Sequence, residues 1–263
     1  MTGIDPRDLP AALLGSAAGR GSRLTEWDAS IRGAGTGARR LGFVSLAPGA
    51  GATTLAAQVL RVLAARRSEP VLAIDVAGGE ADLGARLGAA ATPPSDARAR
   101  ARTSADAVTG LSEGQGWFCL RPDVSDGPVA AWLAEAAPIT RFFEVSITDF
   151  GARHPLVDLA ACAALCDVVC LVSDARRAPA ELARAVAPAI AALPEGPAPV
   201  LALVDHARAG EAVARAMASD PWPVVGVPFD RGLRGGRTPT GRARHAVLEV
   251  AATVLSGRKA VPA

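Results

Sequence analysis

Phe43-Val44-Ser45-Leu46-Ala47-Pro48-Gly49-Ala50-Gly51-Ala52-Thr53-Thr54 decides the reading of this chain. An apolar run stops at a glycine-rich turn, two threonines follow, and an Ala/Leu/Val helical pattern continues to Ala65. That is the strand–loop–helix order of a phosphate-binding loop, in which successive backbone N–H groups converge on one concavity at a helix N-terminus. Gly49 and Gly51 supply the torsions such a turn needs. Thr53 stands where a hydroxyl could bind Mg²⁺, and Thr54 supports the first helical turn. Against G-x-x-x-x-G-K-[ST], Leu46 takes the place of the first glycine and Ala52 that of the lysine, so only Gly51 and Thr53 match. The chain has one lysine, Lys259, far from the loop in sequence.

The composition sets the frame around that loop. With 263 residues, half of them hydrophobic and 21% charged, the chain reads as one large domain, or one domain with a tail. A net charge of +2 does not by itself argue for nucleic acid. No apolar run approaches the ~20 residues of a membrane span. Residues Met1 to Pro10 lack the basic and apolar regions of a signal peptide, so a cytoplasmic location is expected. Cys119 and Cys170 lie in strand-like runs, while Cys162 and Cys166 are spaced i, i+4. Without a second Cys pair or a histidine at ligand spacing, reduced and buried thiols are expected. His154, His206 and His245 form no recognisable nucleophile motif.

Outward from the loop, apolar runs and helical patterns alternate. Strands are expected at Leu41–Leu46, Val71–Asp75, Trp117–Leu120, Arg141–Asp149, Asp167–Val172, Pro199–Val204 and Pro223–Pro228. Helices are expected at Thr53–Arg67, Ala130–Ala137, Leu156–Leu165, Pro179–Leu193, Gly210–Ala218 and Thr240–Leu255, with a loop and short helix over Val76–Leu87. The strands are continuously apolar, as when both faces are covered. The fold class is α/β: a doubly wound, mainly parallel sheet of about seven strands with helices on both faces. Val71–Asp75 and Arg141–Asp149 each end in an acid, at the sheet edge where ligands gather. Residues 1–40 read as a partly disordered N-terminal arm with helical segments at Asp8–Leu14 and Arg23–Ile31; 41–258 is the domain and 259–263 a tail. Residues 92–114 read as a variable, solvated insertion, whose Arg98, Arg100 and Arg102 form a basic patch in the alternative reading.

The order of these pieces resembles the MinD/ParA family of deviant Walker A ATPases (the SIMIBI class of P-loop proteins), whose loop reads K-G-G-x-G-K-T-T. Ala47 and Ala52 take its two lysine positions, Pro48 the first glycine, Gly49 and Gly51 the other glycines, and Thr53-Thr54 the threonine pair. Phe143–Asp149 with Gly151 resembles the Walker B strand; Cys166–Val172 resembles "A-D-x-v-x-l-V"; Val225–Asp230 resembles "G-x-I-P-x-D". The C-terminal stretch from Pro228 is similar to MinD-like proteins beside actinobacterial type VII secretion systems.

The resemblance implies ATP and Mg²⁺ as ligands. Gly49, Ala50, Gly51, Ala52, Thr53, Thr54, Pro228 and Asp230 would surround the nucleotide, and Thr53, Asp75 and Asp149 the metal. It also implies a degenerate member, since Ala47, Ala52 and Ala77 stand where the family has two lysines and a catalytic acid. No catalytic residue is assigned, and nucleotide binding is expected to be weak or lost. The leading expectation is a non-hydrolysing binding or scaffolding module in a bacterial assembly, either type VII secretion or a positioning and division system. Its partners would be proteins: a second copy, or an intact homologue in a heterodimer. The alternatives are a nucleotide switch using arginines, among them Arg153, in place of the lysines, and a ParA-like protein binding DNA through Arg98–Arg102, Arg231, Arg234, Arg237 and Arg242. The terminal helix carries an apolar stripe that reads as core packing or as a peripheral membrane contact.

Overall fold

Alternation within the strands builds two cores. Successive side chains of a strand point to opposite faces. Leu41, Phe43, Val71, Ala73, Val168, Cys170, Val200 and Ala202 fill one core, while Val44, Leu72, Ile74, Val169, Leu171, Leu201 and Leu203 fill the other. A computed structural model describes residues 9–33, 37–79, 82–208 and 211–257. The sheet has eight strands: β1 (Arg39–Ser45), β2 (Val71–Asp75), β3 (Ser112–Gly114), β4 (Trp117–Leu120), β5 (Val145–Ala152), β6 (Val168–Asp174), β7 (Ala198–Val204) and β8 (Val224–Val227). Their order is β3-β4-β2-β5-β1-β6-β7-β8, and every pairing is parallel except β3–β4. The expected doubly wound, mainly parallel architecture is what the chain adopts. The added strand, β3, is a short edge hairpin partner contributed by the stretch read as insertion.

The helices are α1 (Leu9–Arg32), α2 (Ala52–Ala64), α3 (Leu83–Leu87), α4 (Asp96–Ala99), α5 (Ser104–Ala107), α6 (Pro128–Ala131), α7 (Ala137–Thr140), α8 (Leu159–Ala164), α9 (Arg177–Ala191), α10 (Glu211–Ala216), α11 (Arg231–Arg234) and α12 (Gly241–Ser256). Residues of α1, α2 and α12 pack into the first core, and those of α8 and α9 into the second. Val247, Leu248, Val250, Ala251 and Val254 of α12 are buried there, so its apolar stripe is committed to the sheet. Residues 1–8 and the tail 259–263 lie outside the described residues.

Several sequence expectations change. The two helical segments of the N-terminal stretch are one helix, α1; Ile31 is fully buried, and Arg67 Nη1 donates to its carbonyl. The helix expected at Ala130–Ala137 begins at Pro128 and passes through a π-helical stretch, Trp132–Ala136, into α7. Pro138 lacks an N–H and so interrupts the ladder at that point. The fourth strand starts at Val145 because Phe142 and Phe143 donate to Ile139 and Thr140 in a helical turn. The insertion is not simply solvated: Arg98 is 1% exposed and donates to the carbonyls of Thr109 and Pro93 and to Glu135. A guanidinium with five donors can hold two loop carbonyls and a carboxylate at once. That removes Arg98 from any basic surface patch.

Candidate functional site

β1 runs between β5 and β6, so its C-terminal end opens at the centre of the sheet. The chain leaves it through Ser45, whose hydroxyl donates to the Ala47 carbonyl. Gly49 has φ +78° and Gly51 φ +103°, both in the left-handed region that glycine tolerates. Gly51 is the N-cap of α2 and has no side chain to cap it; its carbonyl accepts from Leu55. The amides that begin α2 therefore have no intrahelical acceptor, and the positive end of the helix faces outward. Before them lies a cleft of about 570 Å³.

Gly49, Gly51, Ala52, Thr53, Thr54 and Asp230 line this cleft. Ala50 lies buried behind the loop, with its carbonyl 3.3 Å from His206 Nε2 at the end of β7. Ala47 is exposed on the loop. Pro228, expected beside the nucleotide, instead lines two clefts with Asp205 and Arg242. It is the next residue, Phe229, that turns into the loop cleft. Asp230 is a structural cap: Oδ1 accepts from Leu233 N, and Oδ2 from the Thr240 hydroxyl and amide. Partial burial would raise its pKa, but these donors outweigh that and lower it.

Beneath the loop, β2 and β5 place Asp75 and Asp149 opposite each other in register. A bulge in the β1–β5 ladder pairs Phe43 with Asp149 but Val44 with Gly151. Phe150 is thereby sent into the second core, and Gly151 turns back to the cleft with φ +67°. Asp149 is fully buried; its Oδ1 accepts from Gly151 N. Among the described residues its Oδ2 has no partner in hydrogen-bonding geometry, although the Thr53 side chain is close enough to favour the ionised form. Burial pushes this carboxyl up to about 6. Asp75 is also raised, mainly by burial and further by the charge of Asp149, against the pull of the Gly84 amide that donates to it at 2.6 Å.

The metal set expected from sequence is therefore brought together in part. Thr53 and Asp149 meet, and an orphaned buried carboxylate oxygen beside a hydroxyl fits a hydrated Mg²⁺. Asp75 instead faces a different cleft with Asp82, Arg121 and Asp123. Among the described residues no group of three or more His, Cys, Asp or Glu could hold a metal by itself. All four cysteines are free and buried, as expected.

Arg153 is neither a surface arginine nor a cleft arginine. Its Nη2 donates to the carbonyls of Val76 and Ala77, and Nη1 pairs with Asp158. It ties the end of β5 to the loop after β2, at Val76 and Ala77. The cleft does contain arginines that sequence reasoning did not place there: Arg86 of α3 and Arg234 of α11. Nothing local marks them. Arg86 follows an ordinary N-capped turn, and Arg234 is one of several arginines between 231 and 244. His206 also lines the cleft.

No protein-family model and no curated protein matches the chain. Solved structures do. The chain is similar to MinD in the MinC:MinD cell division complex of Aquifex aeolicus, with a TM-score of 0.63, 17% identity, and coverage of 86% of this chain and 98% of that one. An ATP complex of a Cyanothece McdA variant gives a TM-score of 0.61 and 20% identity over 87% of this chain and all of that one. A ParA family ATPase from Chlorobium tepidum gives 0.56 and 19% over 81% and 98%. The chain has the fold of the ParA and MinD ATPases. No described helix is long and apolar enough to cross a membrane.

Proposed function

We propose that the chain is a non-hydrolysing P-loop protein that takes up a Mg²⁺-nucleotide and holds protein partners in a bacterial assembly. The observation that carries this is a loop with its glycine torsions and helix N-terminus in place and alanine at each charge-handling position, Ala47, Ala52 and Ala77. Binding and turnover make different demands. Phosphates are bound by amides and the helix end, which do not depend on side chains. Hydrolysis needs fixed charges aimed at the transition state, and losing one such group commonly costs ~10²–10³ in rate. The loop and the cleft supply the first requirement; the alanines withhold the second. Mg²⁺, when bound by Thr53 and Asp149, would neutralise phosphate charge.

Similarity of fold to a MinC:MinD cell division complex and to a plasmid partition protein supports a role in positioning or division; type VII secretion rests only on the sequence resemblance after Pro228. Calorimetric titration with ATP and Mg²⁺ beside a phosphate-release assay tests the reading. Binding without turnover is expected. Sustained turnover would overturn the non-hydrolysing role, and no heat at millimolar ATP would overturn nucleotide uptake.

A second reading, DNA binding, is favoured by the exposure of Arg231, Arg237 and Arg242 along α11 and the start of α12. It predicts a DNA affinity that falls steeply with salt. No retention on DNA at low salt would sink it.

A further inference from the structure

The loop has lost its lysines, yet the cleft it faces is not without positive charge. Arg86 and Arg234 line it from two elements far apart in sequence. Among the described residues neither pairs with a carboxylate, and the Arg86 Nε is buried without a hydrogen-bond partner. The acids of the cleft do not serve them. Asp230 has both oxygens engaged by Leu233 and Thr240, and Asp205 accepts from Ala207 N through Oδ1.

The backbone segments that carry the two arginines are tied together through α2. Arg61 of α2 donates through Nη2 to the Arg86 carbonyl and through Nη1 to the Gly236 carbonyl, just past α11. Gln58, one turn earlier, donates to the Arg237 carbonyl. Helix α2, which starts at the loop, thus fixes the distance between α3 and the turn after α11. Gly236 has φ +70°, and a Cβ there would stand 2.8 Å from Arg86 Nη1. The guanidinium thus lies directly against that turn, whose left-handed torsion favours glycine. Two cations with no carboxylate partner raise the local potential for an anion, and guanidinium matches phosphate oxygens in bidentate geometry.

Resting on the nucleotide reading above, we infer that Arg86 and Arg234 form a clamp on the phosphate chain of a nucleoside di- or triphosphate and supply from across the cleft the charge that the loop lysines no longer supply. The volume of about 570 Å³ is within the range of small-ligand sites. The loop amides take the chain on one side, and the guanidiniums close it on the other. Charge delivered this way favours binding without restoring the lysine geometry that hydrolysis uses. Arg61 is a positioning residue for the clamp.

The test is titration of the full chain with ATP, ADP, AMP and inorganic triphosphate in the presence of Mg²⁺, in wild type, Arg86→Ala, Arg234→Ala and the double variant. Arg177→Ala, an exposed position on α9 paired with Glu181, is the control. Wild type is expected to bind ATP and ADP more tightly than AMP, and inorganic triphosphate is expected to displace ATP. Each single variant should lose about tenfold and the double about a hundredfold, with the control within about twofold. Arg234 is exposed, so its variant keeps the test valid if Arg86→Ala lowers thermal stability. Wild-type binding that the double variant retains in full overturns the clamp and leaves nucleotide uptake standing. Failure of wild type to bind any of the four probes overturns both.

Discussion

The loop between β1 and α2 offers backbone geometry and no charged side chain. Gly49 and Gly51 hold left-handed torsions and α2 opens toward the cleft, but Ala47 and Ala52 offer nothing beyond a methyl group. At the ends of β2 and β5 the reverse holds: Asp75 and Asp149 remain, buried side by side, with no lysine above them. The difference shows what each half depends on. The loop's shape comes from glycine torsions and helix geometry, so it needs no charged side chain. The acids are kept by backbone donors, Gly84 and Gly151, which hold them whether or not a cation is present.

Restoring charge to the loop should have the largest effect. Ala47→Lys with Ala52→Lys is expected to raise ATP affinity by about a hundredfold, roughly tenfold per charged contact, as read by calorimetry. An unchanged affinity would show that the loop's shape is not that of a phosphate site.

Asp149→Asn probes the other half. Its carboxyl ordinarily titrates near 3.8 and here near 6, so the folded chain holds the proton more tightly than the unfolded chain. That contribution is full below about pH 4 and is lost as the pH rises through about 6. The amide keeps the acceptor for Gly151 N and carries no charge. Urea unfolding should therefore find the variant more stable than wild type by about 2 kcal/mol at pH 8 and nearly equal at pH 4. A variant less stable at pH 8 would mean that the carboxylate has a counter-ion there.

Gly51→Ala should cost about 1–2 kcal/mol, the penalty of a left-handed torsion for a residue with a Cβ. Space does not limit it, since the nearest side-chain atoms lie 3.7 Å or more from the added carbon. Thermal unfolding would measure it, and a neutral outcome would show that the loop relaxes freely. The smallest effect is expected for His206→Ala, which removes one part-buried contact to Ala50 and should cost about 1 kcal/mol or less.

Much of the fold was legible because it rests on local signals. β2 and β4 fall where Val71–Asp75 and Trp117–Leu120 were read, since unbroken apolar runs bounded by turns admit little else. Boundaries shifted where a local turn cut into an apolar run: Pro138 interrupts its helix, and the helical turn at Phe142 and Phe143 delays β5 to Val145. Arg98 was misread because its partners, Thr109 and Glu135, are 11 and 37 residues away. The candidate site divides in the same way. Gly49, Gly51 and Thr53, neighbours in the loop, line the cleft together, whereas Phe229 rather than Pro228 reaches it from the far side.

By itself the sequence determined the alternation of strands and helices, the glycine turn at the head of α2, the acids at the ends of β2 and β5, and the absence of lysine from the loop. These are properties of neighbouring residues and of composition. Tertiary structure alone decided which cations face the loop. Arg153 is drawn to the carbonyls of Val76 and Ala77, while Arg86 and Arg234 are carried to the cleft by α3 and α11, with Arg61 bonded to the Arg86 carbonyl. A guanidinium reaches far from its own backbone, so where its charge ends up is set by whichever carbonyls and carboxylates the fold brings within reach.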